Sequence, residues 1–225
     1  MSSRLTRIVG SSIVKKQAMA ITGLLLCGFL VTHLAGNFLI IYSADAFNQY
    51  AYALTSNPLI YVAEAGLAAL FLGHIGMAIK LTLENHKARP QKYYMKKPTG
   101  RGSTFASSTM PYTGMITLIF LVIHLINFKF GPLYMTTVDG VEMRDLYRTV
   151  VEYFASPLNV LWYIIAMVAL GIHLSHGVWS AFQSLGFNHP SYTPTLRMAS
   201  KAFAVLIVVG YSSLPIYCYL IQGGH

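Results

Sequence analysis

Residues 19–42 read MAITGLLLCGFLVTHLAGNFLIIY, a run without Asp, Glu, Lys or Arg that carries one histidine, His33. An α-helix rises about 1.5 Å per residue, so this run is long enough to cross the roughly 30 Å hydrocarbon core of a bilayer. It is too long for the apolar centre of a signal peptide, and no small-residue cleavage site follows it, so it reads as a retained span. Four further stretches pass the same test of length and charge. They are 60–83, with Glu64 as its one deep charge, then 111–128, 157–182 and 202–221, where Pro215 is expected to kink the helix. Pro58, Pro111 and Pro157 stand at or just before expected helix starts, where a missing N–H costs least. The expected fold is an all-α integral membrane protein, one transmembrane domain over 1–225. Its first four helices form an up-down bundle and the fifth is peripheral.

The composition agrees. Of 225 residues, 55% are hydrophobic and 10% charged, where a soluble domain carries about 25% charged residues; mean hydropathy is +0.53. A disordered chain and an ordinary soluble enzyme are excluded. The net charge of +9 is too sparse in so apolar a chain for nucleic-acid binding. Cys27 and Cys218 both lie in apolar runs, which excludes a disulfide framework and a four-thiolate metal site. No Cys-x-x-Cys-His occurs, so covalently attached haem is excluded.

Orientation follows from the cations. Arg4, Arg7, Lys15 and Lys16 precede the first span; Lys80, Lys87, Arg89, Lys92, Lys96, Lys97 and Arg101 follow the second; Arg197 and Lys201 precede the fifth. These all fall on one side, and Lys129, Arg144 and Arg148 on the other, with Asp45, Asp139, Glu142, Asp145 and Glu152. The positive-inside rule puts the N-terminus in the cytoplasm and the C-terminus outside. The basic stretch 87–101 reads as an orientation signal touching anionic lipid and as a docking surface for a cytoplasmic partner.

His86, His189 and His225 are expected in loops or at the tail. His33, His74, His124, His173 and His176 lie within spans. An ionisable residue at membrane depth is costly and is a functional candidate by default. One such residue on each of four consecutive helices is hard to explain as interhelical bonding alone. His33 and His124 lie in the outer half of outward-running helices, His74 and His173 in the inner half of returning ones. In an up-down bundle the first helix faces the third and the second faces the fourth across diagonals of roughly 11–14 Å. The histidines therefore form two levels of two. The reading is two b-type haems, the outer on His33 and His124 and the inner on His74 and His173, each iron held by two neutral imidazoles. Gly28, Gly36, Gly73, Gly76, Gly171 and Gly177 could open a flat slot. His176, one turn from His173, reads as a non-ligand contacting an inner haem propionate or a quinone.

At these residues the chain resembles the dihaem cytochrome b membrane-anchor subunit of succinate:quinone oxidoreductases (succinate dehydrogenase and fumarate reductase), five-helix type. Thr32-His33-Leu34, the stretch Thr113-Gly114-Met115-Ile116-Thr117-Leu118-Ile119-Phe120 leading to His124, and Ile172-His173-Leu174-Ser175-His176-Gly177-Val178-Trp179-Ser180 carry the likeness. The resemblance implies haem-iron ligation by His33, His74, His124 and His173, and a non-ligand at the position of His176. It also implies a flavoprotein subunit with FAD and an iron–sulfur subunit on the cytoplasmic face, and menaquinone as the quinone. Some members carry a glutamate two residues before the inner ligand of the fourth helix; Gly171 stands there in this chain, so no proton path is expected at that point.

Two stacked haems make sense if electrons cross the membrane, which puts a quinone near the outer haem. Quinone chemistry needs a proton group, and Glu64 is the one carboxylate deep in a span. It reads either as that proton group or as a cap on the first turn of its helix, with Asn37, Tyr42 and Tyr61 as neighbours by depth. The respiratory alternative is the cytochrome b anchor of a hydrogenase or formate dehydrogenase; the non-redox alternative is a transporter or structural membrane protein.

Overall fold

The computed structural model describes residues 11–88 and 104–222. Arg4, Arg7, Arg89, Lys92, Lys96, Lys97, Arg101 and His225 lie outside the described residues. Five helical stretches are long and apolar enough to cross a membrane: Ser12–Tyr42, Leu59–Lys87, Phe105–Lys129, Pro157–Ser184 and Thr193–Ile221. The elements in chain order are α1 (Ser12–Asn37), a helical turn α2 (Leu39–Tyr42), α3 (Ala44–Thr55), α4 (Leu59–Lys87) and α5 (Phe105–His124). A π turn (Leu125–Lys129), the hairpin β1 (Met135–Val138) and β2 (Val141–Arg144), α6 (Leu146–Phe154), α7 (Pro157–Ser184) and α8 (Thr193–Gln222) complete them.

The helices are longer than the spans read from hydropathy, because a hydropathy window stops at charges while a helix continues past them. α1 starts at Ser12 and takes in Lys15 and Lys16; Ser11 caps it by accepting a hydrogen bond from the Val14 amide at 3.4 Å. α8 starts at Thr193 and takes in Arg197 and Lys201. His86 lies in the last turn of α4 rather than in a loop, a correction with the same cause. Pro111 also requires correction. It lies inside α5 and not at its start. A capping box sets the start, Thr104 Oγ1 accepting from the Ser107 amide at 3.1 Å and Ser107 Oγ from the Thr104 amide at 2.8 Å. Pro111 has no N–H to give the Ser107 carbonyl, a lost helical bond that a membrane helix tolerates. Pro157 does occupy the first turn of α7.

α1, α4, α5 and α7 form the four-helix arrangement. α1 packs against α4 and α7, and α7 against α5, whereas α4 and α5 make at most marginal contact among the described residues. The ring is therefore open on its α4–α5 side. Directions alternate. Lys15 at the start of α1 pairs with Glu84 at the end of α4 at 2.5 Å, and Thr113 early in α5 meets His173 late in α7. α8 stands outside the four, along α7 and against α1, with Ile207 and Cys218 wholly buried in that contact. The outward faces of the spans carry exposed Leu25, Leu72, Ile79, Met115, Ile119, Val168, Val205 and Leu206. That surface suits lipid.

Membrane helices associate through close packing rather than through a hydrophobic drive, and small residues supply it here. A Cβ on Gly171 would lie 2.2 Å from Val208 Cγ2, and one on Gly36 would lie 2.5 Å from the Tyr50 ring. Those two glycines are contact points between helices, which corrects the expectation that they open a slot. Gly28, Gly73 and Gly76 do face open space. Gly171→Ala forces α7 and α8 apart, an overpacking cost of about 1–3 kcal/mol. The expected result is earlier thermal unfolding of the detergent-solubilised protein than of its parent.

The hairpin end of the bundle is capped by α3, β1–β2 and α6. Asp139 and Gly140 both take positive φ (51° and 77°) in the two-residue turn, the geometry that matches strand twist. Asn48, 2% exposed, donates to Asp145 Oδ1 and accepts from the Tyr147 amide, both at 2.9 Å, tying α3 to α6. Arg148 lies over the Tyr134 ring and donates to Glu152 at 2.7 Å. Hydrogen bonds from Arg148 and Tyr134 hold the Glu152 carboxyl below the usual carboxylate range. This surface link is present at neutral pH and is lost as pH falls through that lowered value.

Candidate functional site

Four of the five span histidines meet in two pairs inside the four-helix arrangement. His33 of α1 and His124 of α5 face each other with ring centroids 6.0 Å apart and planes at 85°. His74 of α4 and His173 of α7 do so at 6.5 Å and 65°. A metal–imidazole bond is about 2.0–2.1 Å and a ring nitrogen lies about 1.2 Å from its ring centre, so two imidazoles on opposite sides of one metal stand roughly 6.5 Å apart. Both pairs have that separation.

Hydrogen bonds select which nitrogen faces the gap. His74 Nδ1 lies 3.2 Å from Thr22 Oγ1, His173 Nδ1 3.3 Å from Thr113 Oγ1, and His124 Nδ1 3.2 Å from the Tyr163 hydroxyl. Engaging Nδ1 leaves Nε2 as the donor for a metal, the usual division of labour in histidine ligation. His33 is held differently. Phe29 stacks on it at 5.1 Å, and Tyr211 of α8 lies 6.2 Å away, its hydroxyl bonded to the Leu30 carbonyl at 2.7 Å.

Sequence spacing gives the distance between levels. On α1, Thr22 belongs to the His74 level and His33 to the other; on α5, Thr113 belongs to the His173 level and His124 to the other. Both separations are eleven residues, about 16 Å of helix rise. The His33–His124 level adjoins the capped end, where Phe128, Tyr153, Phe154 and Tyr163 form one aromatic cluster. α5 passes from His124 directly into the π turn, closed by the Phe130 amide on the Leu125 carbonyl at 2.9 Å. Such turns often mark functional positions.

Among the described residues, no three or more His, Cys, Asp or Glu converge as a bare metal site. Two donors per level suit a metal that brings its own equatorial nitrogens, as haem iron does, and the open α4–α5 side suits a flat group. His176 lies one turn beyond His173, half-buried, with its ring edge-on to Trp179 at 6.5 Å. Arg197 covers that tryptophan at 4.2 Å.

Glu64 pairs with Lys129 at the end of the π turn, across the open α4–α5 side. The first turn of α4 is capped instead by Asn57, whose Oδ1 accepts from the Leu59 amide at 2.9 Å. Asn37 is committed to the His33 carbonyl at 2.7 Å, while Tyr42 and Tyr61 point outward, 82% and 71% exposed. The spacing argument did not identify Thr22, Thr113, Tyr163 or Lys129. The first two carried a signal: a Thr-Gly pair begins eleven residues before the histidine on both α1 and α5.

Fold and site together define a class, a five-span membrane protein with two levels of facing histidines. Over 187 residues, 82% of this chain and 83% of the relative, it is 27% identical to the succinate dehydrogenase cytochrome b558 subunit of Bacillus subtilis (strain 168). The resemblance read from the motifs around His33, His124 and His173 is borne out by that likeness. No family model and no solved structure matches the chain.

Proposed function

We propose that this chain is the membrane-anchoring cytochrome b subunit of a succinate:quinone oxidoreductase, holding two b-type haems. It passes electrons between an iron–sulfur subunit on the cytoplasmic face and quinone, menaquinone by resemblance, near the outer level. The observation that carries the reading is the pair of facing imidazole couples at two levels, each spaced for one metal, with Nδ1 engaged and Nε2 left for the metal at His74, His124 and His173. The length-spanning likeness to a succinate dehydrogenase cytochrome b subunit supports the choice of complex over a hydrogenase or formate dehydrogenase anchor.

His33 and His124 would hold the outer haem, and His74 and His173 the inner one. Haem bound there would supply one-electron transfer. The chain orients and insulates. Thr22, Thr113 and Tyr163 fix ring tautomers, the aromatic cluster and the α3–α6 cap exclude water from the outer level, and His176 donates to an inner propionate. Glu64 gives or takes the protons that accompany quinone chemistry at the outer level. The dicarboxylate site lies on the flavoprotein subunit.

The test is to purify the complex from membranes and assay haem, flavin and companion subunits together. Co-purification of b-type haem with a flavin-bearing dicarboxylate dehydrogenase is expected. A nickel or molybdenum subunit in its place, or a reduced-minus-oxidised spectrum without a b-type band, contradicts the reading.

A further inference from the structure

Lys129 donates to Glu64 across the side of the four-helix arrangement where α4 and α5 otherwise make at most marginal contact. Counting along the helices fixes the depth of this pair. Glu64 stands ten residues before His74 on α4, about 15 Å of rise. The two levels are about 16 Å apart, so Glu64 shares the depth of His33 and His124. Lys129 stands five residues beyond His124, and its side chain meets Glu64 there. Charges at membrane depth are costly and mark functional positions. This pair is neither sunk in the bundle nor part of a packed helix contact, and its side chains are open to the surroundings. Exposed Tyr61, one turn before Glu64, and exposed Ile126 and Phe130, flanking Lys129 in sequence, give it an apolar rim. The lysine also sits on a built turn. The Phe130 amide closes that turn on the Leu125 carbonyl at 2.9 Å, and a Cβ on Gly131 would collide with the Asn127 carbonyl.

A lysine ammonium has three N–H donors and no acceptor. One goes to Glu64; the other two have no side-chain partner among the described residues. A 1,4-quinone is the complement of that surface: its carbonyl oxygens only accept hydrogen bonds, and its flat ring carries an apolar tail. We propose that Lys129 is the residue that binds the quinone ring, donating from its ammonium to one ring carbonyl oxygen while still holding Glu64. One cation then sets the carbonyl beside the carboxylate that serves its protons. The proposal rests on the outer quinone site read above, and adds to that site the group that recognises the ring.

The experiment uses the assembled complex carrying K129M or K129R, with succinate as donor and 2,3-dimethyl-1,4-naphthoquinone as acceptor. Methionine keeps an unbranched side chain and removes every donor; arginine keeps a cation that donates. In K129M the KM for the naphthoquinone is expected to rise on the order of 10- to 100-fold, the worth of one hydrogen bond to a charged group. The kcat, haem content and haem reduction by succinate stay at parental values, the pattern of a lost binding contact. K129R recovers most of the loss. An unchanged KM in K129M overturns the proposal, as does a fall in kcat at parental KM, the pattern of a lysine that only holds Glu64 in place. Equal impairment by K129R and K129M, or loss of haem from K129M, overturns it too. A parent complex that reduces no quinone with succinate instead refutes the proposed function beneath it.

Discussion

On the proposed ligand assignment, replacing His124 with alanine is expected to leave one b-type haem where the parent would hold two. His124 is one of two donors at its level, and its partner His33 stands 6.0 Å away by ring centroid on a different helix. Without His124, that level would keep one of its two imidazole donors. The rings of Phe120, Phe128 and Tyr163 are left around a void, and emptying a packed site of this size costs on the order of 2–5 kcal/mol. The other level is independent. Its donors come from α4 and α7, and the contribution of α5 to it is Thr113, about 16 Å away along the helix. The pyridine haemochrome assay should therefore fall to half per chain, with the retained haem keeping its parental spectrum. His33→Ala should repeat the result, His74→Ala should remove the other haem, and His176→Ala should remove neither. Retention of both haems in the His124 variant would refute the pairing.

Glu64→Gln is expected to reduce succinate-driven quinone reduction by about 10²- to 10⁴-fold, the usual worth of a positioned proton-transfer group. Haem content and haem reduction by succinate should stay at parental values. The separation of these readouts is the point of the test, since a glutamine keeps the shape of the side chain and loses its charge and its ability to carry a proton. The ion pair with Lys129 leaves the two side chains 40% and 43% exposed, so an approaching quinone can reach the carboxylate. At that exposure, breaking the pair costs little stability. Glu64→Asp should recover part of the rate. Full quinone reduction by the glutamine variant would remove Glu64 from the mechanism.

The spans and the two histidine levels were legible because both follow from one-dimensional rules. Apolar length and cation placement locate the helices, and counting residues from helix ends locates the imidazoles in depth. What escaped depends on rotation about the helix axis and on short-range chemistry. Thr22 and Thr113 reach neighbouring histidines only once helical phase and neighbour identity are known. Tyr163 and Trp162 are adjacent in sequence, yet Tyr163 alone meets His124. Gly171 and Gly28 are indistinguishable as letters, but one touches Val208 and the other faces open space. The start of α5 was misplaced because Pro111 was read as a boundary, whereas the capping box at Thr104 and Ser107 decides it. α3, between the first two spans, and the hairpin and α6, between the third and fourth, lie in connections that the sequence reading weighs only by charge, although Asp139-Gly140 is a turn signal.

The account depends on each facing pair gripping one iron porphyrin. The most direct test is low-temperature electron paramagnetic resonance of the oxidised complex, integrated against the amount of this chain. Two low-spin ferric signals of bis-imidazole type per chain are the predicted result. A high-spin signal at either level, or one low-spin haem per chain in the parent protein, would contradict it.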